Sequence, residues 1–421
     1  MSSNKKVAVI GFGNIGVGVV RALYERGVTG LELVKVVDID LRKKRPVKVP
    51  KEILSSEWQL AVNDPDIDII VELIGGIEPA KTIQLQALKM GKDVVTANKK
   101  LLAAEGKNIF SLASKLERRV GFRASFVGCH SLIHEFQQAG NAAKKFRRIY
   151  AILNGTSNYI LSMMSRDDKS FKEALREARE KGLAERDPSD DIDGIDTANK
   201  IRILLNLITN SYQTAPAFTV EGIRNISTQD IQYAAELGYS IKLVGVIEQI
   251  NDSFAVGVHP ALLPKTSLLG SLEGAYNGTE LEDEYGVISG LVAPGAGVYP
   301  TTDAVVKDLV DIVENRPLPM PTSKAPLVLG STENAKRRYY LRFSVVNQAG
   351  VLAQICNVFW KYDISISGVI QKEPVSTRFV PIVMTTYLAK EKDIQAALRE
   401  VDKLPIIKAE TKLIRILSAN T

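Results

Sequence analysis

Short apolar runs alternate with helical patterns over the first 128 residues of the chain. The apolar runs cover residues 7–10, 33–37, 68–74 and 93–96. Strands that alternate with helices predict a parallel sheet with helices on both faces, in which the strands are buried on both sides. Ligands of such sheets bind beyond the carboxyl ends of the strands. In this chain, two loops are expected at those ends, one containing Gly75 and Gly76 and one at residues 96–99.

The hydrophobic pattern changes after residue 130. Strands are predicted at 147–153, 241–250 and 254–258, and helices at 171–181, 195–209 and 301–315. This order predicts an α+β domain with a mixed or antiparallel sheet. We expect the helix at 301–315 to return to the first domain.

A proline-rich segment precedes a third pattern near the C-terminus. Its prolines, starting at Pro317, favour an extended linker, and the residues after it follow an independent βαββαβ order that predicts a small ferredoxin-like module. The expected division is a dinucleotide-binding domain at 1–129 with 300–316, a second domain at 130–299, a linker at 317–336 and the module at 337–421.

Composition excludes several classes of protein. The chain has 421 residues, too many for one ordinary core, and its 45% hydrophobic and 24% charged content is typical of globular proteins. A net charge of +6, without interleaved basic and aromatic residues, argues against nucleic-acid binding. Two distant cysteines, Cys129 and Cys356, predict no disulfide framework. With no apolar run of membrane-spanning length and no signal-peptide pattern, we expect a cytoplasmic protein without a membrane segment.

A glycine-rich motif directly follows the first predicted strand. Gly11, Gly13 and Gly16 match the Gly-x-Gly-x-x-Gly pattern that brings backbone amides to a pyrophosphate at a helix N-terminus. Asp38 ends the second strand, where an acid binds the ribose 2′-hydroxyl, and this favours NAD. The basic run Arg42–Arg45 leaves NADP open as a phosphate clamp, or is only a solvated loop. The alternative for the glycines is a purely structural turn.

Residues 182–200 contain the densest set of candidate chemical groups. Acidic residues crowd a loop before a helix, on which Asp196 and Lys200 are spaced i,i+4 and share a face. Lys99 follows a strand at the nucleotide end of the sheet, where a cation can orient a carbonyl or donate a proton. The structural alternatives are a solvated acidic loop, a surface ion pair and a surface lysine.

Cys129, His130 and His134 form the one cluster with possible metal ligands. The chain has only three histidines and neither His-Glu-x-x-His nor Cys-x-x-Cys. We therefore predict no metal site there and assign these residues to packing or to a helix start.

These motifs together resemble homoserine dehydrogenase with a C-terminal ACT domain, and the resemblance covers essentially the whole chain. It rests on the glycine motif, 72–76, 95–99, Asn-Gly-Thr at 154–156, 182–200 and Pro-Gly-Ala-Gly at 294–297. The resemblance implies an α/β Rossmann domain, an α+β catalytic and dimerisation domain, and an ACT domain. It further implies NAD(P)-dependent interconversion of L-homoserine and L-aspartate 4-semialdehyde, on the route to threonine and methionine.

The resemblance also assigns roles to residues. Lys200, the proton donor, Asp196 and Lys99 are expected to be catalytic. Glu185, which would hold the amine, is expected to bind substrate together with Asp191, Asn154, Gly155 and Thr156. Cofactor contacts are expected from Gly11, Phe12, Gly13, Asn14, Ile15, Gly16, Asp38, Arg42, Gly75, Thr96, Ala97, Lys99 and Gly295. Asn347, Gly350, Val351 and Leu352 are expected to bind an effector, with threonine the natural candidate; the alternative is a dimerisation module without a ligand.

One block departs from the family pattern. Arg123 replaces an acid that helps to hold sodium, and Cys129-His130-Ser131 replaces a Gly-Ile-Pro-type turn. We hypothesise that the Arg123 guanidinium stands in for the cation, so that the monovalent-metal site is lost. The departure keeps two alternatives open: a regulatory homologue that binds nucleotide and amino acid without catalysis, and a dehydrogenase of a related amino or hydroxy acid. A homodimer or higher oligomer is expected from the family.

Overall fold

A computed structural model describes residues 4–126, 146–211, 218–250, 253–295, 297–318, 329–372 and 379–417. Its first sheet has six parallel strands in the order β3-β2-β1-β4-β5-β6. These strands are β1 (Lys5–Ile10), β2 (Leu31–Val37), β3 (Leu54–Ser55), β4 (Ile69–Glu72), β5 (Asp93–Thr96) and β6 (Val120–Gly121). The strand order reverses between β1 and β4, which is where doubly wound folds bind dinucleotides.

Helices cover this sheet on both faces, as its buried strands require. They are α1 (Asn14–Val20), continued by a π-helical segment (Arg21–Arg26), α2 (Gln59–Val62), α3 (Ala80–Lys89) and α4 (Lys99–Lys115). A later helix, α10 (Val298–Val313), packs against α1, with Thr302 facing Gly18 and Val305 and Leu309 buried in the same core as Val7 and Val9. The chain therefore returns to the first sheet after leaving it.

A second, mixed sheet carries the central part of the chain. Its central strands are β7 (Phe146–Ile152), β8 (Thr219–Val220), β9 (Tyr239–Ile250), β10 (Ser253–Pro264), β11 (Tyr276–Asp283) and β12 (Ile288–Pro294). Its helices are α5 (Gly155–Arg166), α6 (Phe171–Glu180), α7 (Ser189–Ile192), α8 (Ile195–Ile208) and α9 (Thr228–Glu236). The predicted fold class is confirmed, including the mixed sheet.

The C-terminal module is not an independent sheet, as its pattern had suggested. Its elements are β13 (Lys336–Val345), α11 (Val351–Lys361), β14 (Ile366–Gln371), β15 (Val380–Thr386), β16 (Ala389–Lys390), α12 (Glu391–Val401) and β17 (Ile407–Ile416). Strand β17 pairs in parallel with β10 at Ala261 and Leu262, so that both regions form one eleven-stranded sheet. The alternation of hydrophobic and polar residues predicts that β17 is a strand, but it does not indicate which strand lies next to it.

The two faces of the large sheet differ in what covers them. Ile149, Ala151 and Ile247 belong to the main core with the helices, whereas Tyr150, Ile152 and Val246 form a small cluster on the other face. Residues 319–328, half of the expected linker, lie outside the described residues. None of the helices in the described ranges has the length and apolar character needed to span a membrane.

Candidate active site

The glycine motif forms a tight turn between β1 and α1. Gly11 has a φ of 105°, and a Cβ there would lie 2.7 Å from the Leu73 carbonyl carbon. A Cβ on Gly16 would overlap the Gly11 carbonyl oxygen, so this close approach of helix and strand requires glycine. A Cβ on Gly13, in contrast, would meet no atom within 4 Å. The turn thus leaves open space beside Gly13 and the start of α1, which fits a pyrophosphate.

Asp38 is already engaged at the end of β2. Its carboxylate accepts hydrogen bonds from the Phe12 amide at 2.7 Å and the Asp40 amide at 2.9 Å, and it pairs with Arg45 at 3.0 Å. Burial would raise the Asp38 pKa, but these amides and Arg45 lower it overall. Arg45 also donates to the Phe12 carbonyl at 2.7 Å and stacks over the Phe12 ring.

Within the basic run, therefore, Arg45 is the residue that contacts Asp38. The Arg42 side chain is exposed. Four consecutive basic residues gave no signal as to which of them turns inward.

A buried carboxylate joins the next two loops at this end of the sheet. Glu72 accepts hydrogen bonds from the Gly75 amide at 3.2 Å and the Thr96 hydroxyl at 2.8 Å. Asn98 donates to the Gly76 carbonyl at 2.7 Å and caps α4 by accepting from the Leu101 amide. Glu72 and Asn98 were absent from the predicted site residues, although both stand in its motifs. They fix the loops that carry Gly75, Thr96, Ala97 and Lys99.

On the substrate side, Asn154 is the centre of a hydrogen-bond network. It caps α5 by accepting from the Ser157 amide at 2.8 Å, so its side-chain NH₂ group points the other way. That group donates to Asp191 at 2.6 Å and to Asp196 at 3.0 Å. Burial raises the Asp191 pKa, and the nearby charge of Asp196 adds to this, although the Asn154 hydrogen bond opposes it.

Asp196 lies between two lysines from different parts of the chain. One of its oxygens contacts the Lys99 ammonium and the other lies 2.9 Å from the Lys200 ammonium. Asp196 and Lys200 are 4% and 7% exposed, which rules out the surface ion pair considered from the sequence. Burial alone would raise the Asp196 pKa, but Lys200 and Lys99 hold it well below its usual range. Burial alone would lower the Lys99 pKa, but Asp196 raises it overall.

The Lys200 ammonium has a further partner that orients it. It donates a hydrogen bond to the carbonyl oxygen of Leu153, the residue before Asn154, at 2.5 Å. Asn277 donates to the same oxygen at 3.2 Å and to the Gly295 carbonyl at 3.5 Å, so Gly295 lies three hydrogen bonds from Lys200. An ammonium has three donors. Among the described residues, Asp196 and Leu153 take two of them, and the third remains for a ligand.

The other predicted substrate residues line or position this network. Gly155 begins α5 where a Cβ would lie 2.7 Å from the Ala275 carbonyl oxygen, and Thr156 donates to the Leu183 carbonyl at 2.7 Å. Thr156 therefore anchors the loop that contains Glu185. Glu185 itself is exposed, and no described residue is hydrogen-bonded to its carboxylate.

Arg123 bonds to the return helix α10. Its guanidinium is 2.8 Å from Asp308 and 2.5 Å from Asp311, and its amide donates to Asp308 at 2.8 Å. Burial raises the Asp308 pKa to about 7, although Arg123 lowers it. The side chain is thus held by acids that no motif had singled out.

The remaining predicted residues fall into two groups. Cys129, His130, Ser131 and His134 lie outside the described residues, and within the described part no three His, Cys, Asp or Glu side chains are grouped as metal ligands. In the C-terminal module, Gly350 has a φ of 83° and precedes α11, with Asn347 exposed, Val351 buried and Leu352 half-buried.

The network fits the chemistry of a carbonyl and an alcohol. Reduction of a carbonyl builds negative charge on its oxygen, which preorganised cations stabilise, and Lys200 has a donor available there. The glycine turn that fits a dinucleotide belongs to the same domain as Lys99, which contacts Asp196 in the second domain. Family models match this chain accordingly. They are homoserine dehydrogenase (residues 132–310), the homoserine dehydrogenase NAD-binding domain (11–123) and the ACT domain (339–406).

The chain belongs to the homoserine dehydrogenase family. It is 34% identical to the homoserine dehydrogenase of Synechocystis sp. over 98% of this chain and 99% of that protein. A solved homoserine dehydrogenase from Thiobacillus denitrificans has a TM-score of 0.90 at 33% identity, covering 99% of both chains. One from S. aureus has a TM-score of 0.76 at 27% identity, again covering 99% of both chains. The family is one of oxidoreductases with a nicotinamide cofactor, and the ACT domain of this member indicates regulation.

Proposed function

We propose that this chain interconverts L-homoserine and L-aspartate 4-semialdehyde with NAD(P)H, in the synthesis of threonine and methionine. The observation that carries the proposal is the bridge from the half-buried Lys99 through the buried Asp196 to the buried Lys200, which connects the nucleotide-side loop to the substrate-side helix. Such a bridge places two ammonium groups beside a space where a carbonyl oxygen gains charge.

In the proposed mechanism Lys200 donates the proton to the substrate oxygen. Its two protein hydrogen bonds, to Asp196 and Leu153, orient the third N–H. Lys99 stabilises the developing charge, and Asp196 raises the Lys99 pKa and pairs with Lys200. When bound, the nicotinamide cofactor supplies the hydride. In the reverse direction the neutral Lys200 amine accepts the alcohol proton, which restores the ammonium group.

The substrate amine is assigned to Glu185 and Asp191. Glu185 is exposed and therefore available to a ligand, and the raised pKa of Asp191 falls when an ammonium group binds beside it. Asn154, Gly155 and Thr156 position these acids, because Asn154 donates to Asp191 and Thr156 anchors the Glu185 loop.

For the cofactor we propose NAD as the better substrate. Asp38 offers a carboxylate near the expected ribose, and its charge disfavours a 2′-phosphate. Arg45 partly neutralises that charge at 3.0 Å, so NADP is expected to react more slowly rather than not at all. The remaining proposed cofactor contacts are Gly11 to Gly16, Gly75, Thr96, Ala97 and Gly295. We assign Arg42 to the 2′-phosphate of NADP.

We further propose that catalysis does not need sodium. Arg123 supplies a fixed positive charge, and two acids, Asp308 and Asp311, hold it in place. Activity of the wild type should be the same with and without sodium, and homoserine binding by Arg123→Glu would show whether sodium can then contribute. Sodium dependence of the wild type would contradict this proposal.

The wider proposals follow the family resemblance. We divide the chain at the boundaries expected from the sequence, place a threonine effector at Asn347, Gly350, Val351 and Leu352, and expect a cytoplasmic homodimer or higher oligomer. The exposure of Asn347 and the open backbone at Gly350 support a ligand site at that turn.

The first test is homoserine-dependent reduction of NAD and of NADP by the purified full chain, with and without threonine. We expect turnover with both, faster with NAD, and a loss of roughly 10²–10³-fold in Lys200→Met. Nucleotide binding, measured by fluorescence titration, should be unchanged in that variant. A wild type that binds nucleotide but does not oxidise homoserine would reject the proposed activity and favour the regulatory alternative.

A further inference from the structure

Lys242 is a buried lysine on β9 that the proposed mechanism does not use. The residue is 3% exposed. Its ammonium donates to the Asn158 side-chain oxygen at 3.2 Å and contacts the Leu272 carbonyl oxygen, so both partners are neutral. Within the described part of the chain it forms no ion pair with a carboxylate. Burial lowers the Lys242 pKa to about 8, although the nearby charge of Glu273 opposes this.

This environment differs from that of Lys200. Lys200 is paired with the buried Asp196 at 2.9 Å, which compensates for the loss of water around its charge. A buried ammonium without such a partner is unfavourable, and an apolar side chain of similar volume would avoid the penalty. The reason for a lysine at position 242 therefore lies in the groups that it binds.

The first of these groups, the Asn158 amide, is oriented by the lysine. An ammonium only donates hydrogen bonds, so the Asn158 oxygen faces Lys242 and its NH₂ group faces the other way. That NH₂ group donates to the Leu272 and Tyr276 carbonyls, each at 3.3 Å. With the amide reversed, its NH₂ group would meet the ammonium and its oxygen would meet two carbonyl oxygens. Lys242 thus sets the direction in which Asn158 holds this part of the chain.

The chain held by Asn158 is the 272–277 segment, at the end of the connection from β10 to β11. Within it, the Ala275 carbonyl accepts from the Gly295 amide at 3.1 Å, and a Cβ on Gly155 would lie 2.7 Å from the same oxygen. Gly295 is a proposed cofactor contact and Gly155 a proposed substrate residue. A displaced segment would therefore disturb both.

The last residue of the 272–277 segment reaches the oxygen that directs the proton donor. Asn277 is fully buried and donates to the Leu153 carbonyl at 3.2 Å. Lys200 donates to the same oxygen, and this bond orients its ammonium together with the Asp196 pair. The position of the Lys200 ammonium therefore depends on where the segment lies.

We propose that Lys242 is a positioning residue for proton transfer by Lys200. Its ammonium orients the Asn158 amide, the amide fixes the 272–277 segment, and the segment supports the carbonyl that directs Lys200. Misplacement of a catalytic group by about 1 Å can reduce turnover by about 10²-fold, so a residue remote from the reacting atoms can affect the rate. The effect on turnover rests on the proposed function, whereas the fixing of the segment does not.

The test compares Lys242→Met with Lys92→Met in the full chain. Lys92 is 2% exposed and also donates to two backbone carbonyls, those of Asp64 and Ile67, but it precedes β5 and so lies at the end of the first sheet opposite the cofactor loops. We expect kcat for homoserine oxidation to fall by roughly 10- to 100-fold in Lys242→Met, with the Kd of the nucleotide unchanged. Lys92→Met should retain the wild-type kcat. Lys242→Gln, whose amide can still donate to Asn158, should lose less than Lys242→Met.

Hydrogen exchange, measured by mass spectrometry, tests the 272–277 segment independently of activity. The amides of the segment and of Gly295 should exchange faster in Lys242→Met than in the wild type, and at the wild-type rate in Lys92→Met. Asn158→Ala should have the same effect as Lys242→Met. In the double variant the two losses of kcat should not multiply, because both substitutions break the same contact.

Two results would overturn the proposal. One is unchanged exchange of the 272–277 segment in both Lys242→Met and Asn158→Ala. The other is faster exchange with wild-type kcat, which would make Lys242 a purely structural residue. A wild type without homoserine turnover would reject the proposed function, and faster exchange in Lys242→Met would then still support the fixing of the segment. If Lys242→Met does not fold, Lys242→Gln and Asn158→Ala give the same readouts.

Discussion

Two clusters in this chain, each around a buried acid, combine carboxylates with basic side chains in opposite proportions. In the first, two lysines share one carboxylate, Asp196; in the second, two carboxylates share one guanidinium, Arg123. The surplus charge decides the protonation of each. Lysines hold the Asp196 pKa far below normal, whereas the Asp308 pKa rises to about 7 because burial and Asp311 outweigh Arg123.

Exposure separates the two clusters as well. Lys99 is 37% exposed, so the positive cluster is open to a ligand, while Asp308 is fully buried. An open surplus of positive charge is useful for stabilising an oxyanion. A closed surplus of negative charge has no ligand to stabilise and instead attaches α10 to the first domain. Similar buried ion pairs can therefore be assigned different roles from their charge balance and their access.

Removing the shared acid of the positive cluster should have the largest effect. In Asp196→Asn, the two ammonium groups lose their common counterion, burial then lowers the Lys99 pKa, and Lys200 loses the contact that orients it. We expect kcat for homoserine oxidation to fall by roughly 10²–10³-fold, with a shifted pH profile. Asp190→Asn, on the half-exposed neighbouring acid, is the control. A decrease smaller than tenfold would separate this cluster from catalysis.

Removing the shared cation of the negative cluster should instead reduce stability. Arg123→Met leaves Asp308 buried without a counterion and leaves Asp311 only the exposed Arg316 at 3.4 Å, which costs about 3–5 kcal/mol. The free energy of unfolding is measured by urea denaturation. Lys307→Met, which removes an exposed pair with Asp303 on the same helix, should change it little. Equal stabilities of the two variants would show that Arg123 is not the anchor of α10.

The negative cluster should also give stability a particular pH dependence. Because the Asp308 pKa is raised in the folded chain, the folded state binds more protons than the unfolded state between about pH 4 and 7. Its stabilising contribution is complete below the unfolded pKa and is lost as the pH rises through about 7. The slope is at most about 1.4 kcal/mol per pH unit. Urea denaturation of Asp308→Asn across this range should lack that component, and an unchanged slope would argue against it.

Sequence alone predicted one of these clusters in part and the other not at all. The i,i+4 spacing placed Asp196 and Lys200 on one face, but their burial and the approach of Lys99 depend on how two domains pack. Arg123 was noticed because it departs from a motif, yet its partner Asp308 lies 185 residues away on a helix whose pattern gives only amphipathicity. The hydrophobic period and the spacing of motifs predict secondary structure and candidate chemical groups. They do not determine contacts between residues that are far apart in the sequence.

The large sheet shows the same limit at the level of the fold. The βαββαβ order predicted the ACT strands, but nothing in β17 indicates that its free edge pairs with β10. The glycine motif was the opposite case, since both Gly11 and Gly16 meet backbone atoms where a Cβ would not fit. The residue type glycine indicates a steric requirement of that kind, whereas no residue type indicates which strand pairs at an edge.

The smallest effect is expected at the residue next to Lys99. Lys100 contacts Asp190, and both side chains are about half exposed, at 49% and 48%. An exposed pair of this kind contributes about 0–1 kcal/mol because water screens it. In Lys100→Met, homoserine turnover should therefore change by less than about twofold and stability by less than about 1 kcal/mol. Steady-state kinetics beside Lys99→Met gives the comparison, since Lys99 contacts the buried Asp196 and should lose far more activity. If both variants lost activity equally, positive charge at the start of α4, rather than contact with Asp196, would be what the site requires.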